Sequence, residues 1–133
     1  MENFEYKINS PILSSAIADI RQCVGWNRMI QCYENPLMTS YLHIACYDTK
    51  NLIGYIDVVS NCVTDAYIQD LMVKPEYQGI GIGTKLMTMV LEKLKDDHIY
   101  MISVVFEEKL LPFYKRFGFQ NMLCGQLQTY NCD

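Results

Sequence analysis

The spacing of apolar residues changes along the chain and divides it into helical and strand-like stretches. Near the start, residues 4–8 alternate between apolar and polar and predict a strand. Apolar residues at helical spacing follow at 12–24, and the preceding Ser10 and Pro11 are typical of an N-cap and a first helical position. A short second helix is predicted at 26–33. The first quarter of the chain is therefore mainly helical.

The middle of the chain has a shorter, strand-like period. Apolar and β-branched residues at 41–47, 52–59 and 63–73 are separated by polar, turn-like residues at 48–51 and 60–61. Three consecutive strands joined by short turns form an antiparallel meander. This part of the chain therefore predicts the centre of a sheet.

The last part of the chain returns to a period of 3.6 residues and then alternates again. An amphipathic helix is predicted at 83–95, followed by a strand at 99–106 and a short helix at 107–116. Two further strands are predicted at 117–123 and 125–130. Because the helix at 83–95 links the strands at 63–73 and 99–106, these two strands are expected to be parallel and joined by a right-handed crossover.

These elements define the expected fold class, α/β (α+β). It is a mixed, mostly antiparallel central sheet of six to seven strands flanked by about four helices. A length of 133 residues suits one domain, so residues 1–133 are expected to form a single unit.

Composition and charge exclude several functions. The net charge of −4 argues against a nucleic-acid surface, which needs a basic stripe, and is compatible with a cationic small substrate. No apolar run is long enough to span a membrane, and the opening MENFEYKINS is not a secretory signal, so a cytoplasmic protein is expected. The six cysteines include no C-x-x-C pair, and no histidine lies near them at zinc-ligand spacing. We therefore expect free thiols and no metal.

The segment QGIGIGT, residues 78–84, places three glycines in five positions directly before the predicted helix. Its spacing fits neither a Walker loop nor a dinucleotide fingerprint. The first turn of a helix nevertheless has unpaired N–H groups and a partial positive charge, and glycines let phosphate oxygens approach them. No Asp or Glu lies between residues 78 and 90 to compete with an anion. The segment predicts a phosphate site, although a glycine turn needed only for tight packing gives the same pattern.

Two motifs together resemble the GNAT superfamily of N-acetyltransferases. Residues 78–83 fit Q/R-x-x-G-x-G/A, the acetyl-CoA-binding motif of that superfamily, and follow the strand "YIQDLMV" and "KPEY". The segment PFYKRFGF, residues 112–119, is similar to its F-Y-x-K-x-G-F segment. The resemblance covers roughly residues 63–120. The predicted N-terminal helices and strand meander fit the small single-domain branch of the superfamily. Many members carry an asparagine and an alanine where this chain has Glu107 and Leu110.

The resemblance implies that main-chain groups bind acetyl-CoA. Amides at 80–84 would hold the pyrophosphate, the strand end at 71–73 would pair with the pantetheine arm, and Gln78 would complete the phosphate site. The expected cofactor-binding residues are Leu71, Met72, Val73, Gln78, Gly79, Ile80, Gly81, Ile82, Gly83 and Thr84.

In such enzymes an amine attacks the thioester directly, so one group must protonate the leaving thiolate and another must accept a proton from the ammonium. Tyr114 is the candidate acid, because a phenol of pKa about 10 can donate to a thiolate whose conjugate acid has a pKa of about 8.5. Asp70 is the best-placed acceptor, acting through water or by holding the ammonium. Each residue also has a purely structural interpretation: Tyr114 as core packing beside Phe113 and Phe117, and Asp70 as a carboxylate that stabilises the strand or its bulge.

The expected function is an acetyl-CoA-dependent N-acetyltransferase for a primary amine, with a small molecule as the acceptor and no metal. A protein amino group is a variant. A protein that binds and senses acyl-CoA without turnover is a different class, kept open by Glu107 and by Gln69, where some relatives carry glutamate. An interaction domain without a cofactor leaves the glycine turn unexplained. A homodimer through the end strand at 125–130 is also expected.

Overall fold

Five strands form one sheet in the computed structural model, which describes residues 3–133. The strands lie in chain order, and all neighbours are antiparallel except the last pair, which is parallel. Their bounds are β1 Glu5–Ile8, β2 Leu42–Asp48, β3 Asn51–Ser60, β4 Asp65–Val73 and β5 Met101–Val104. The mixed, mostly antiparallel sheet and the parallel crossover are therefore confirmed.

Four α-helices flank this sheet, as predicted. They are α1 Ser14–Cys23, α2 Ile30–Tyr33, α3 Ile82–Asp96 and α4 Leu111–Lys115. Short 3₁₀ turns lie at Pro36–Met38, Pro75–Tyr77 and Glu108–Leu110. No helix among residues 3–133 is long and apolar enough to cross a membrane.

The two long helices cover opposite faces of the sheet, which explains their apolar periodicity. On one face, Leu86 and Val90 of α3 are fully buried in a cluster that includes Ile56 of β3. On the other face, Ile17 and Ile20 of α1 pack in a second cluster with Tyr55. Burying such apolar side chains provides most of the free energy that holds the layers together.

The start of the first helix differs from the prediction. α1 begins at Ser14 with Leu13 as its N-cap, so Ser10 and Pro11 precede the helix. The backbone oxygen of Ser10 lies 2.8 Å from Nε2 of His43 on β2. This long-range contact joins the residue to the sheet, and local capping preference could not reveal it.

The sheet of residues 3–133 is also smaller than the six to seven strands expected. The strands predicted at 117–123 and 125–130 are not formed, and residues 119–131 make no backbone–backbone hydrogen bond among the described residues. Met122, Leu123 and Leu127 are almost fully exposed. An alternating pattern favours an extended chain, but a ladder also needs a paired partner edge, which a single sequence does not specify.

Close packing between β3 and α3 generates a prediction at Gly54. A Cβ atom there would lie 3.0 Å from Cγ2 of Ile82, 3.2 Å from Cδ1 of Leu86 and 3.3 Å from Cβ of Cys46. We expect Gly54→Ala to lower the free energy of unfolding by about 1–3 kcal/mol, because the packed core must shift. Urea denaturation measures the change. Gly125→Ala is the control, since nothing lies within 4 Å of its Cβ position; equal effects of both substitutions would contradict the packing argument.

Candidate active site

A cleft opens where the parallel strands separate. The pairing of β4 with β5 ends at Ile68 and Val104, whereas β4 continues to Val73 and remains paired with β3 alone. The cleft has a volume of about 730 Å³ and is lined by the end of β4, the glycine turn, α4 and residues just after α1. Its size suits a small-molecule site.

The glycine turn forms one wall of this cleft. Gly79 and Gly81 have φ angles of +81° and +98°, a left-handed conformation that favours glycine. Gly81 is the N-cap of α3 and supplies no side-chain cap, and the first helical bond runs from Lys85 N to Gly81 O at 3.0 Å. Among the described residues, the amides at 80–84 donate to no acceptor. These unpaired N–H groups can bind an anion.

A cation that the sequence analysis did not assign lies beside the turn. Nη2 of Arg116 donates to Oγ1 of Thr84 at 3.3 Å, and its guanidinium lies 5.3 Å from the ring centroid of Phe113. Arg116 and Lys109 both line the cleft. The signal was present in the Lys-Arg pair of PFYKRFGF, but only the fold shows which of the two faces the cleft.

Gln78 faces the strand end rather than the turn. Its Nε2 donates to the carbonyl of Val73 at 2.8 Å. The side chain thereby links the turn to β4 and fixes the relative position of the two expected cofactor contacts.

Tyr114 lies on α4, lines the cleft and is 5 % exposed. Its ring stacks on Phe106 with centroids 4.3 Å apart and packs edge-on against Phe113 and Phe119. No hydrogen bond to its hydroxyl is formed within residues 3–133. Burial raises the pKa of the phenol above its usual value of 10, so it is protonated at neutral pH and can donate a proton.

Asp70 sits at a bulge in β4 with a left-handed φ of 56°. The bulge turns its carboxylate toward α1, where Oδ1 accepts from Nη1 of Arg21 at 3.0 Å and Oδ2 accepts from the hydroxyl of Tyr33. Asp70 itself does not line the cleft, whereas its neighbours Leu71 and Met72 do. The expected cofactor-binding residues other than Ile80 therefore line one cleft together with Tyr114, whereas Asp70 lies outside it, on the α1 side of β4.

Arg21 connects Asp70 to the cleft wall. Its Nε and Nη2 donate to the backbone oxygen and Oδ1 of Asn27 at 2.6 and 2.8 Å. Its guanidinium also lies 5.3 Å from the ring centroid of Trp26, which lines the cleft. The guanidinium is thus held from several sides and fixes the orientation of the Asp70 carboxylate.

A second carboxyl group, Asp57 of β3, was missed by sequence reasoning. It is 1 % exposed, and its Oδ2 accepts from the hydroxyl of Tyr55 at 2.9 Å. Oδ1 has no hydrogen-bond partner among the described residues. Burial, followed by the charge of Asp70, raises the pKa of Asp57 to about 9. No sequence signal distinguished it, because a single acid within an apolar strand gives no indication of what it faces.

Aromatic side chains near the site divide between the cleft and the rest of the fold. Trp26 lines the cleft, and Tyr33 contacts Asp70. The Tyr41 hydroxyl instead donates to Oδ2 of Asp97 at 2.8 Å.

No group of three or more His, Cys, Asp or Glu side chains within the described part of the chain is arranged to hold a metal ion.

The chain belongs to the GNAT acetyltransferase family, because residues 22–130 match its acetyltransferase (GNAT) domain. It is 27% identical over 122 residues to an uncharacterized N-acetyltransferase ycf52 of Gracilaria tenuistipitata var. liui, covering 88% of this chain and 67% of that protein. It is 33% identical over 107 residues to a ycf52-like N-acetyltransferase of Prochlorococcus marinus, covering 77% and 59%. The chain thus spans about three fifths to two thirds of the length of these relatives.

Solved structures share the fold. A probable acetyltransferase from meticillin-resistant Staphylococcus aureus superposes with a TM-score of 0.82 at 20% identity, covering 96% of this chain and all of that chain. A predicted acetyltransferase from Clostridium acetobutylicum, solved with acetyl-CoA, has a TM-score of 0.73 at 17% identity and covers 95% of this chain and 96% of that one. The architecture expected from the two motifs is therefore found.

The raised pKa of Asp57 predicts how stability depends on pH. An unfolded aspartate has a pKa of about 3.9, so between about pH 4 and pH 9 the folded protein holds a proton that the unfolded chain has released. Stability contributed by this group is therefore full below pH 4 and is lost as pH rises toward 9, at up to about 1.4 kcal/mol per pH unit. Asp57→Asn has a neutral side chain at every pH. The unfolding free energy of this variant minus that of the wild type should therefore increase from pH 4 to pH 9.

Denaturation at a series of pH values checks this expectation. Asp65→Asn, a change at an exposed position of β4, is the matched control and should follow the wild-type curve. Wild-type and Asp57→Asn curves that run parallel from pH 4 to pH 9 would show that Asp57 is ionised in the folded protein.

Proposed function

We propose that this chain is an acetyl-CoA-dependent N-acetyltransferase that transfers an acetyl group to a primary amine of a small molecule. The observation that supports it most is the row of unpaired amides at 80–84, beside the unpaired edge of β4 and the phenol of Tyr114. These features fit the three demands of the reaction, which are holding a diphosphate, orienting a thioester and protonating a thiolate. We also propose a single domain and a cytoplasmic location, although an Arabidopsis thaliana relative is named as chloroplastic.

The glycine turn and Arg116 would hold the diphosphate. Amide N–H groups at the start of α3 donate to anionic oxygens, and the helix dipole adds to the attraction. A guanidinium can form two parallel hydrogen bonds to a phosphate, which a lysine ammonium cannot. The main chain at 71–73, unpaired on its cleft side, would hold the extended arm of the ligand as a neighbouring strand would.

Acetyl-CoA supplies an activated acyl group on a thiol leaving group. Tyr114 donates its phenolic proton to the departing sulphur, and the surrounding Phe106, Phe113 and Phe119 rings exclude water from that step. Asp70 attracts the acceptor ammonium and accepts its proton, directly or through water. The amine nitrogen then attacks the acyl carbon within the ternary complex, without a covalent acyl-enzyme. As the C–S bond breaks, the nitrogen loses its second proton to water, and water returns a proton to the Tyr114 phenolate.

A protein that binds acyl-CoA without turnover is the second candidate. Two observations favour it: Asp70 does not line the cleft, and Glu107 occupies a cleft position where many members carry asparagine. Such a protein would bind coenzyme A with the same turn and strand but would acetylate no amine.

Arg116→Ala should weaken coenzyme A binding about tenfold, since a charge-assisted contact to phosphate is lost. Isothermal titration with coenzyme A measures the affinity at low and high salt, and the wild-type affinity should fall more steeply with salt than that of the variant. Lys115→Ala is the matched control, because Lys115 neighbours Arg116 but does not line the cleft. Equal affinities of wild type and Arg116→Ala would place the diphosphate elsewhere.

Tyr114→Phe tests the reaction itself. The ring packing is retained and the donor is removed, so kcat should fall about 10²-fold while the affinity for acetyl-CoA stays within twofold. Release of free coenzyme A with a panel of polyamines, arylalkylamines, aminoglycosides and amino sugars provides the assay. Tyr130→Phe, at an exposed position outside the cleft, is the control.

Three outcomes separate the proposals. Loss of rate in Tyr114→Phe alone supports the transferase. Unchanged turnover in that variant removes Tyr114 from the mechanism. Binding of acetyl-CoA with no release of coenzyme A for any amine favours the non-catalytic binder.

A further inference from the structure

Two carboxyl groups meet beneath the bulge of β4. Asp57 faces the same side of the sheet as Tyr55, and the register between β3 and β4 shifts between these two residues. Asp57 is the cross-strand partner of Gln69, so the bulge places Asp70, the next residue of β4, beside Asp57. Asp57 is 1 % exposed, whereas the Asp70 side chain keeps 16% of its surface accessible. One acid is therefore enclosed and its neighbour is partly accessible.

The charges around the pair do not balance if both acids are ionised. Arg21 binds Asp70 with Nη1, and its Nε and Nη2 bind Asn27, so among the described residues the guanidinium forms no hydrogen bond or ion pair with Asp57. One cation would then face two anions, and the enclosed Asp57 would carry an unpaired buried charge, which is strongly unfavourable. A single proton on the pair restores neutrality. Placed on Oδ1 of Asp57, it also gives that atom the partner it otherwise lacks, since a protonated Oδ1 can donate to Asp70.

We propose that Asp57 and Asp70 hold one shared proton, and that Asp57 is a positioning residue that makes Asp70 the proton acceptor for the substrate ammonium. This inference rests on the proposed N-acetyltransferase function. Asp57 is enclosed and touches no substrate, so it acts through Asp70. The acceptor implied is a strongly basic alkylamine, which arrives as an ammonium and must lose a proton before it can attack.

The proton transfer balances as follows. The pair first releases its shared proton to water and becomes doubly ionised. An N–H bond of the ammonium then breaks, its electron pair stays on nitrogen, and the proton forms an O–H bond on the carboxyl pair. An isolated aspartate, with a pKa of about 3.9, accepts poorly from an ammonium of pKa about 10. Two adjacent buried carboxylates bind a proton much more tightly, so the transfer becomes far less unfavourable.

Groups from the neighbouring elements lie around the pair. The ring of His43, the cross-strand partner of Asp57, stacks on Tyr55 with centroids 6.2 Å apart, and its two nitrogens lie near the backbone oxygens of Ser10 and Thr39. Desolvation and the nearby carboxylates raise the pKa values of the Tyr33 and Tyr55 hydroxyls, so both remain donors. The facing groups are His43 of β2, Tyr55 of β3, Gln69 of β4, Arg21 of α1 and Tyr33 of α2.

A direct measurement uses the wild-type protein alone. With aspartate carboxyls labelled with ¹³C, we expect one signal to remain that of a protonated acid at pH 7 and to titrate near pH 9. Asp57→Asn should remove this signal, and Asp70→Asn should shift its titration to lower pH, because the neighbouring negative charge is gone. A wild-type spectrum in which every aspartate is ionised at pH 7 overturns the proposal, even if neither variant folds.

The functional test compares two amines in wild type and Asp57→Asn. With a strongly basic alkylamine, kcat should fall at least tenfold at pH 9, and the rise of the rate toward pH 9 should be lost. With a fluorinated alkylamine that is uncharged at the assay pH, the rate should change less than twofold, since no proton need be removed before attack. Asp65→Asn should match the wild type with both amines. A merely structural role of Asp57 would slow both amines equally and would overturn the proposal, as would no effect on either.

Failure of the proposed function has a different signature. If the wild type acetylates no amine, the transferase proposal fails, and with it the catalytic role of the pair. The ¹³C titration still decides whether Asp57 and Asp70 share a proton. If the wild type is active and Asp57→Asn keeps the full pH dependence with the basic amine, only the inference fails.

Discussion

The bulge at Asp70 is the constraint on which the site depends. Before it, Ala66 and Ile68 pack in the cluster beneath α3; after it, Met72 packs in the cluster beneath α1. One extra residue therefore reverses which side chains face which layer. The parallel pairing with β5 ends at Ile68, next to the bulge. The strand end at 71–73 is thus left with an unpaired edge, and a carboxylate is turned toward Arg21. Aspartate tolerates the left-handed backbone better than most residues, which fits its presence at this position.

The two sides of the site carry opposite charge although the chain as a whole carries −4. At the glycine turn, the amides of the α3 N-terminus and Arg116 form a positive region suited to phosphates. On the α1 side, Asp57 and Asp70 face one guanidinium. The α1-side region is shielded from water, because Asp57 and Arg21 are buried, and electrostatic interactions there are stronger than in solvent. This separation of charge matches an anionic molecule that a cation approaches at its far end. The net charge of the chain alone could not have revealed the separation.

The local sequence pattern was sufficient to predict features that depend only on residues close together in the sequence. The apolar face of α3 and the bare turn before it were predicted, because helix periodicity and glycine chemistry act over a few residues. The second motif drew attention to Tyr114, and this side chain lines the cleft. Asp57 was missed because its environment comes from Asp70, Tyr55 and Arg21, which lie on three different elements. The strands at 117–123 and 125–130 were wrong for the same reason: alternation describes one chain segment, whereas a ladder requires a second edge.

The acid and base candidates lie on opposite faces of the sheet, and the chemistry requires such a separation. Tyr114 belongs to the cluster beneath α3 and is surrounded by aromatic rings that supply no acceptor, so in the proposed reaction it would keep its proton until a thiolate forms. Asp70 belongs to the α1 side, where hydrogen bonds and a cation hold it ready to accept. Had the two groups been in contact, the phenol would have donated to the carboxylate, and each would have blocked the other's role. The end of β4 lies between them, so the strand that would hold the thioester also keeps the donor and the acceptor apart.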